Sequence, residues 1–369
     1  MRWLLVVAFS AVASLAQAAE LAIVSQGPAQ TAAERIVVRS ERVGREFQID
    51  VWTPATRPWL PGQKAPVAYI LDAGYGMAGP IAWPLTNSDA MQAAYIVTVG
   101  YPPGKNAREF DLLFGPGVRA DGTTAKGGGA EAFTAFLIEE LKPFIEARYP
   151  VDPQNTVLMG HSLAGIYTAN VLARRPDAFA GYVIASPSVW AQPDIVERLA
   201  AMRPGAVRPR AFVAYGGAES VEMVEGGRKL AQAVAGNPAF QSRVRVFEDG
   251  DHMSYYSALV PPGLGFVLPR KERIDRPAAV AMTPDALARY VGTYRFSDGR
   301  TLDIALVDGA LRATRADRPP LQLAAKAPDR FFIAGLDWRL RFEGPASAPP
   351  TRLVLTINGD EGVGTRTPE

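Results

Sequence analysis

Between residues 66 and 247 the chain repeats one alternation: a run of four to seven mostly apolar residues, then a longer stretch with helical spacing. The runs at 66–71, 94–100, 156–160, 181–185, 211–215 and 244–247 are short and mostly apolar, as strands covered on both faces are. The clearest helical stretch is 130–147, where Phe133, Phe136, Leu137, Leu141, Phe144 and Ile145 share one broad face. Strands alternating with helices predict an α/β fold, a mostly parallel sheet flanked by helices on both sides. Ahead of it, two β-rich stretches within 35–52 flank a polar turn at 42–45 and read as an antiparallel hairpin.

The pattern changes after residue 268. A charged segment bracketed by Pro269 and Pro277 has the composition of a linker. Beyond Thr283 the chain becomes short β-rich runs separated by turn residues, with Asp-Gly pairs at 298–299 and 308–309 that signal hairpins. A single core seldom serves more than about 250 to 300 residues, and this chain has 369. We therefore expect a segment 1–19 to be removed, an α/β domain over 20–268, a linker over 269–282 and a small antiparallel β-rich domain, sheet or barrel, over 283–369.

The expectation for 1–19 rests on a secretory pattern: Arg2, an apolar stretch over 3–15, then Ala16, Gln17 and Ala18 before a cut after Ala18 or Ala19. The apolar stretch is shorter than the ~20 residues of a spanning helix. An exported protein, periplasmic or secreted and without a stable membrane anchor after cleavage, is the reading. The formal charge is +2, and +1 without residues 1–19, whose one charged residue is Arg2. That balance leaves no electrostatic footprint for nucleic acid. With no cysteine in the chain, disulfides, thiol catalysis and thiolate metal sites are excluded.

The chemistry centres on Gly160, His161, Ser162, Leu163, Ala164 and Gly165. Here an apolar run meets a helical pattern that stops before Pro176. A serine at such a strand-to-helix turn stands clear of the sheet, and small flanking residues avoid a clash. A serine hydroxyl needs a base to take its proton, and His252 is the one histidine downstream. It follows the run ending at residue 247. His161 is expected to point away from the hydroxyl and to orient the turn. The third group, a carboxylate that orients the imidazole, is expected at Glu219, after the run 211–215, with Glu222 as nearest rival and a dyad without an acid as the alternative. Asp249 and Asp251 read as turn formers. For the oxyanion, the backbone N–H of Leu163 and that of Ala73 or Gly74, after the run 66–71, are the expected donors. No organic cofactor and no metal is called for. The run Gly127, Gly128, Gly129 reads as a connector before the long helix.

With these residues placed, residues 34–268 resemble the esterase family of the α/β-hydrolase superfamily that includes S-formylglutathione hydrolase, feruloyl esterase modules and hydrolases of enterobactin-type siderophore esters. The resemblance rests on 69–74, 108–112, 160–173, 185–190, 216–219 and 250–254. The stretch from Ser186 to Trp190, and Glu219 as the acid, are most similar to the siderophore-ester branch. Ala73 and Ala164 depart from it, standing where glycine is usual. The segment from Thr283 to about Arg366 resembles a β-rich module that also follows serine β-lactamase-like domains; it has no histidine, and packing, gating or partner contact is its expected role.

The residues and the resemblance together imply an exported serine ester hydrolase acting on a small-molecule ester through a Ser162–His252–Glu219 triad and an acyl-enzyme. Its alternatives are acyl transfer at the same site and a non-catalytic binding protein with this fold. Tyr75, Trp83, Tyr101, Phe114, Trp190, Tyr255 and Tyr256 are candidates to rim the site for an aryl acyl group. Arg108 near Asp111 is either a partner for an anionic substrate or half of a structural ion pair. The oligomeric state is not encoded in any motif.

Overall fold

The computed structural model describes residues 33–368, apart from 55–58, 73–75, 87, 89, 120, 273–274, 276 and 317. The segment 1–19 lies outside the described residues. Strands β1 (Ala33–Arg39) and β2 (Glu46–Trp52) pair as the expected hairpin. There follow β3 (Ala65–Leu71), helix α1 (Ala78–Leu85), β4 (Tyr95–Gly100), α2 (Arg108–Leu112) and a small ribbon of β5 (Gly117–Val118) with β6 (Thr124–Ala125). Helices α3 (Ala130–Ala135) and α4 (Lys142–Arg148) precede β7 (Val151–His161), α5 (Leu163–Arg174), β8 (Gly181–Ala185) and α6 (Ile195–Ala200). Then come β9 (Arg210–Gly216), α7 (Val221–Val234), β10 (Gln241–Phe247) and α8 (Tyr256–Val267).

The sheet runs β1-β2-β4-β3-β7-β8-β9-β10. Pairs β1–β2 and β2–β4 are antiparallel and the others parallel. Its strands feed two cores by simple alternation. In β3, Val67, Tyr69 and Leu71 enter one core together with the α3 and α5 side chains Phe133 and Ile166, while Ala68 and Ile70 enter the other with Leu259 and Leu264 of α8. Burial on both faces is what the unalternated apolar runs require.

Two elements differ from the sequence reading. Strand β10 is an edge, not a buried strand: Val244 is 36% exposed, and Arg243 and Arg245 lie over Phe266 and Phe247. Charge on an open edge discourages pairing with another chain. The helix expected over 130–147 is interrupted by a π turn, Phe136–Leu141, in which the Lys142 N–H reaches the Leu137 carbonyl. Pro143 has no N–H and crowds the carbonyl one turn before it, which a wider turn accommodates. That turn also presents Glu140, whose carboxylate accepts from Ser40 Oγ at 2.6 Å and from the Glu41 and Arg42 N–H groups at 3.1 Å.

After helix α9 (Pro284–Ala288) the chain forms a closed antiparallel barrel. Its strands are β11 (Gly292–Arg295), β12 (Thr301–Val307), β13 (Ala310–Thr314), β14 (Leu321–Ala327), β15 (Arg330–Ile333), β16 (Trp338–Glu343), β17 (Arg352–Ile357) and β18 (Asp360–Arg366). Closure comes from β18 pairing with β11, Tyr294 opposite Arg366. Tyr294, Leu302, Leu340, Phe342 and Leu355 fill its interior, joined by Trp59 and Leu60 from the β2–β3 connection. Asp308 (φ 52°) with Gly309 (φ 74°) and Asn358 (φ 51°) with Gly359 (φ 83°) make the tight hairpins that require two positive φ angles.

Candidate active site

Asp72, Ser162, Ser186, Glu219 and His252 each follow a strand of the parallel part of the sheet, β3, β7, β8, β9 and β10. They therefore gather at the carboxyl ends of the strands, where open α/β sheets present their crevice. Ser162 itself has φ 61° and ψ −121°, a conformation that costs a non-glycine residue about 1–3 kcal/mol. Backbone bonds hold it there: Ser162 N–H to the Ala185 carbonyl at 3.0 Å, and Ser162 C=O accepting from Ile166 at 3.0 Å and Ser188 at 3.2 Å.

The departure at Ala164 has a local explanation. Its side chain is fully buried and accommodated. Glycine is demanded instead on either side: a Cβ on Gly160 would collide with the Ala164 carbonyl, and one on Gly165 with the Ala185 carbonyl. Leu163 opens α5, so helix geometry gives its N–H no intrahelical acceptor. Ala73 and Gly74, the other expected oxyanion donors, lie outside the described residues.

The acid and histidine loops are stitched together by their backbones. Gly217 N–H donates to the Phe247 carbonyl at 2.8 Å and Ala218 N–H to the Gly250 carbonyl at 3.0 Å. A side chain on Gly216 would strike the Gly250 carbonyl. This approach sets His252 Nδ1 2.7 Å from Glu219 Oε2. The Glu219 side chain is fully buried while the imidazole is 38% exposed. Burial alone would push the Glu219 carboxyl up. Hydrogen bonds from His252, Ser186 and the Gly216 N–H outweigh it and hold the carboxyl below its ordinary value. An ionised carboxylate only accepts, so Nδ1 carries the hydrogen and Nε2 is the basic nitrogen. Asp251 is a turn former, accepting from Met253 and Ser254 N–H at 2.9 and 2.8 Å. Glu222 is exposed in the first turn of α7, and Asp249 is exposed in the loop.

Ser162, His252 and His161 line one pocket with Asp72, Arg108, Met77, Met253 and Tyr256. Ser162 Oγ faces Ser188 Oγ at 3.5 Å. Arg108 grips Asp72 with two bonds, Nε to Oδ1 at 2.6 Å and Nη2 to Oδ2 at 2.8 Å. Asp111 pairs instead with Arg45 at 3.1 Å and accepts from Tyr101 at 3.1 Å. The expected neighbourhood of Arg108 and Asp111 thus resolves into two separate pairs, because the residue that follows β3, Asp72, brings the opposite charge directly beside Arg108.

The Esterase family model matches residues 40–254, more than half of the chain. The chain belongs to the Esterase family. It is 34% identical over 177 residues to the ferri-bacillibactin esterase BesA of Bacillus subtilis, 44% of this chain and 61% of that one. It is 33% identical over 134 residues to the siderophore triacetylfusarinine C esterase of Aspergillus fumigatus, 34% of this chain and 44% of that one. The chain thus spans less than two thirds of the length of these relatives. Among solved structures it is similar to the BES protein of Bacillus cereus, at 26% identity and a TM-score of 0.55, covering 67% of this chain and 99% of that one. The other third of the chain has no counterpart there.

In this esterase-family chain most of the aromatic residues that the sequence offered as a rim go elsewhere. Trp83 donates to the Thr53 carbonyl at 2.7 Å, Tyr101 is bound to Asp111, Phe114 stacks on Tyr167, and Trp190 lies under the Arg119 guanidinium. Tyr75 lies outside the described residues. Tyr256 lines the pocket, and Tyr255 is buried beside it. His161, expected to turn away, lines the pocket too. Ser186 and Ser188 are not among the expected site residues, although the stretch from Ser186 to Trp190 that carries the resemblance contains both; Ser186 follows β8 and meets Glu219, and Ser188 Oγ faces Ser162 Oγ.

Proposed function

We propose that this protein is a serine ester hydrolase acting on siderophore-type or aryl esters through an acyl-enzyme. The observation that carries this reading is the 2.7 Å contact of His252 Nδ1 with the buried Glu219 carboxylate, in a pocket that Ser162 lines from a strained strand-to-helix turn. The relatives named as siderophore esterases support the substrate class.

In this mechanism Ser162 Oγ adds to the ester carbonyl carbon while its proton passes to His252 Nε2. Glu219 stabilises the imidazolium. The carbonyl oxygen takes the negative charge and is met by the Leu163 N–H and by that of Ala73 or Gly74. Collapse expels the alkoxide, which leaves with the proton from His252. Water then gives a proton to His252, adds to the acyl carbon, and releases the acid as Ser162 regains its hydrogen.

Ser162→Ala is expected to abolish hydrolysis of catecholate trilactones and aryl esters in purified protein, and full retained activity would sink the reading. A fluorophosphonate probe that leaves folded protein unlabelled at Ser162 would favour a binding protein, and acyl products formed with added alcohols would favour transfer. The secretory pattern at 1–19 supports a site of action outside the cytoplasm. Amino-terminal sequencing of the protein from the cell envelope should find it starting at Ala19 or Glu20.

A further inference from the structure

We propose that Ser186 and Tyr255 are positioning residues that fix the Glu219 carboxylate for His252. This rests on the reading of Glu219 and His252 as partners of Ser162. Glu219 Oε2 faces His252, while Oε1 accepts from two donors, the Gly216 N–H at 2.7 Å and the Ser186 hydroxyl. Ser186 Oγ is also hydrogen-bonded to the Tyr255 hydroxyl.

The direction of these bonds follows from the groups themselves. A carboxylate held below its ordinary protonation range accepts only, so the single Ser186 hydrogen goes to Glu219. The Ser186 oxygen must then accept from Tyr255. Burial, the main cause, raises the Tyr255 phenol well above its usual value, so it stays a neutral donor at any working pH. The chain is Tyr255 to Ser186 to Glu219, with His252 donating from the other side.

Three loops meet in this chain. Ser186 follows β8, its N–H bound to the Ala214 carbonyl of β9 at 2.8 Å. Glu219 follows β9, and Tyr255 caps α8, three residues after His252. With both donors on Oε1, the carboxylate cannot rotate without breaking two bonds, and Oε2 stays aimed at the imidazole. Ser186 is fully buried at φ 37°, in the left-handed region that favours glycine. A glycine would take that backbone with less strain. What serine adds is the hydroxyl.

Ser186→Gly separates the two roles, since it removes the hydroxyl and relaxes the backbone. It should lower kcat about 10- to 100-fold, as losing a hydrogen bond to a charged group does, with KM unchanged. A carboxylate relieved of one donor attracts the imidazole proton more strongly, so the acid limb of kcat/KM should move to higher pH. Tyr255→Phe should shift both quantities in the same direction by less, and it carries the test if Ser186→Gly fails to fold. Wild-type kcat and acid limb in both folded variants would overturn the proposal while Ser162→Ala remains inactive. Full activity of Ser162→Ala would instead overturn the reading beneath it.

Discussion

The imidazoles of His161 and His252 stand 4.6 Å apart, centroid to centroid, with their planes inclined by 44°. His161 is the buried member, and desolvation first, then the charge of His252, brings its pKa from 6.5 to about 4. It is therefore neutral well above pH 4, and it adds no charge against the imidazolium that catalysis would form. The unfolded chain binds a proton at this residue between pH 6.5 and about 4 and the folded chain does not. Its contribution is complete above pH 6.5 and is lost as pH falls toward 4, on the order of 3 kcal/mol across the window. Denaturant unfolding at a series of pH values should show this slope, and His161→Gln should flatten it. The contribution of Glu219, whose carboxyl is held low, is lost only at lower pH. An unchanged slope in the variant would show that the imidazole takes up its proton without unfolding.

The glycine requirement at the turn makes a sharper contrast. Gly165→Ala sets a methyl against the Ala185 carbonyl, at the point where β8 receives the Ser162 N–H. Overpacking of this kind costs about 1–3 kcal/mol and displaces Ser162, so hydrolysis should fall much further than the melting temperature. Ala164→Gly touches no such contact. It should lose only about 1 kcal/mol of helix stability and keep its activity. Equal damage from the two substitutions would show that the turn depends on residue 164 after all.

The sheet is legible because burial on both faces writes itself as unbroken apolar runs, and Ser162 and Glu219 each follow such a run. His252 instead follows the edge strand β10, where the run 244–247 is broken by Arg245. Barrel strands β14 and β18 leave no comparable trace. Leu321–Ala327 is rich in alanine, and Asp360–Arg366 has two glycines and one apolar side chain. Those glycines answer to tertiary packing: a Cβ on Gly362 would press on Leu60 at 2.8 Å, and one on Gly364 on Tyr294 and Phe296. Local pattern cannot encode a neighbour that arrives from 300 residues away. The same holds for Arg108, whose partner was decided by where β3 ends, and for the aromatic residues, whose rings were claimed by the core and by arginines.

Trp59, from the β2–β3 connection, ties the barrel to the sheet. It is 6% exposed, edge-on to Phe296 at 4.9 Å and against Trp338 at 5.3 Å, while Gln63 of the same connection donates to Asp360 at 3.2 Å. Trp59→Ala should cost about 3–5 kcal/mol. Because residues 33–369 form one compact unit, the parent protein should melt in one calorimetric transition, and the variant should melt in two, the barrel separating from the sheet. A single transition at the original temperature would mean that this contact does not couple them.

Asp72 and Arg108 form the charged wall of the pocket, and at 11% and 17% side-chain exposure the pair is largely withdrawn from water. Asp72 also sits at φ 68°, directly before residues 73–75. Asparagine tolerates that backbone better than most residues, so Asp72→Asn removes the charge while keeping the turn. Breaking a buried pair costs up to about 3–5 kcal/mol, and the melting temperature should drop accordingly. The wall of the pocket beside Arg108 then carries one negative charge fewer. KM for anionic aryl esters should fall several-fold, about what a solvent-screened ion pair supplies, while KM for neutral esters of the same size stays constant. Added salt should erase the difference. If both substrates respond alike, Arg108 is serving the loop it grips and not the substrate beside it.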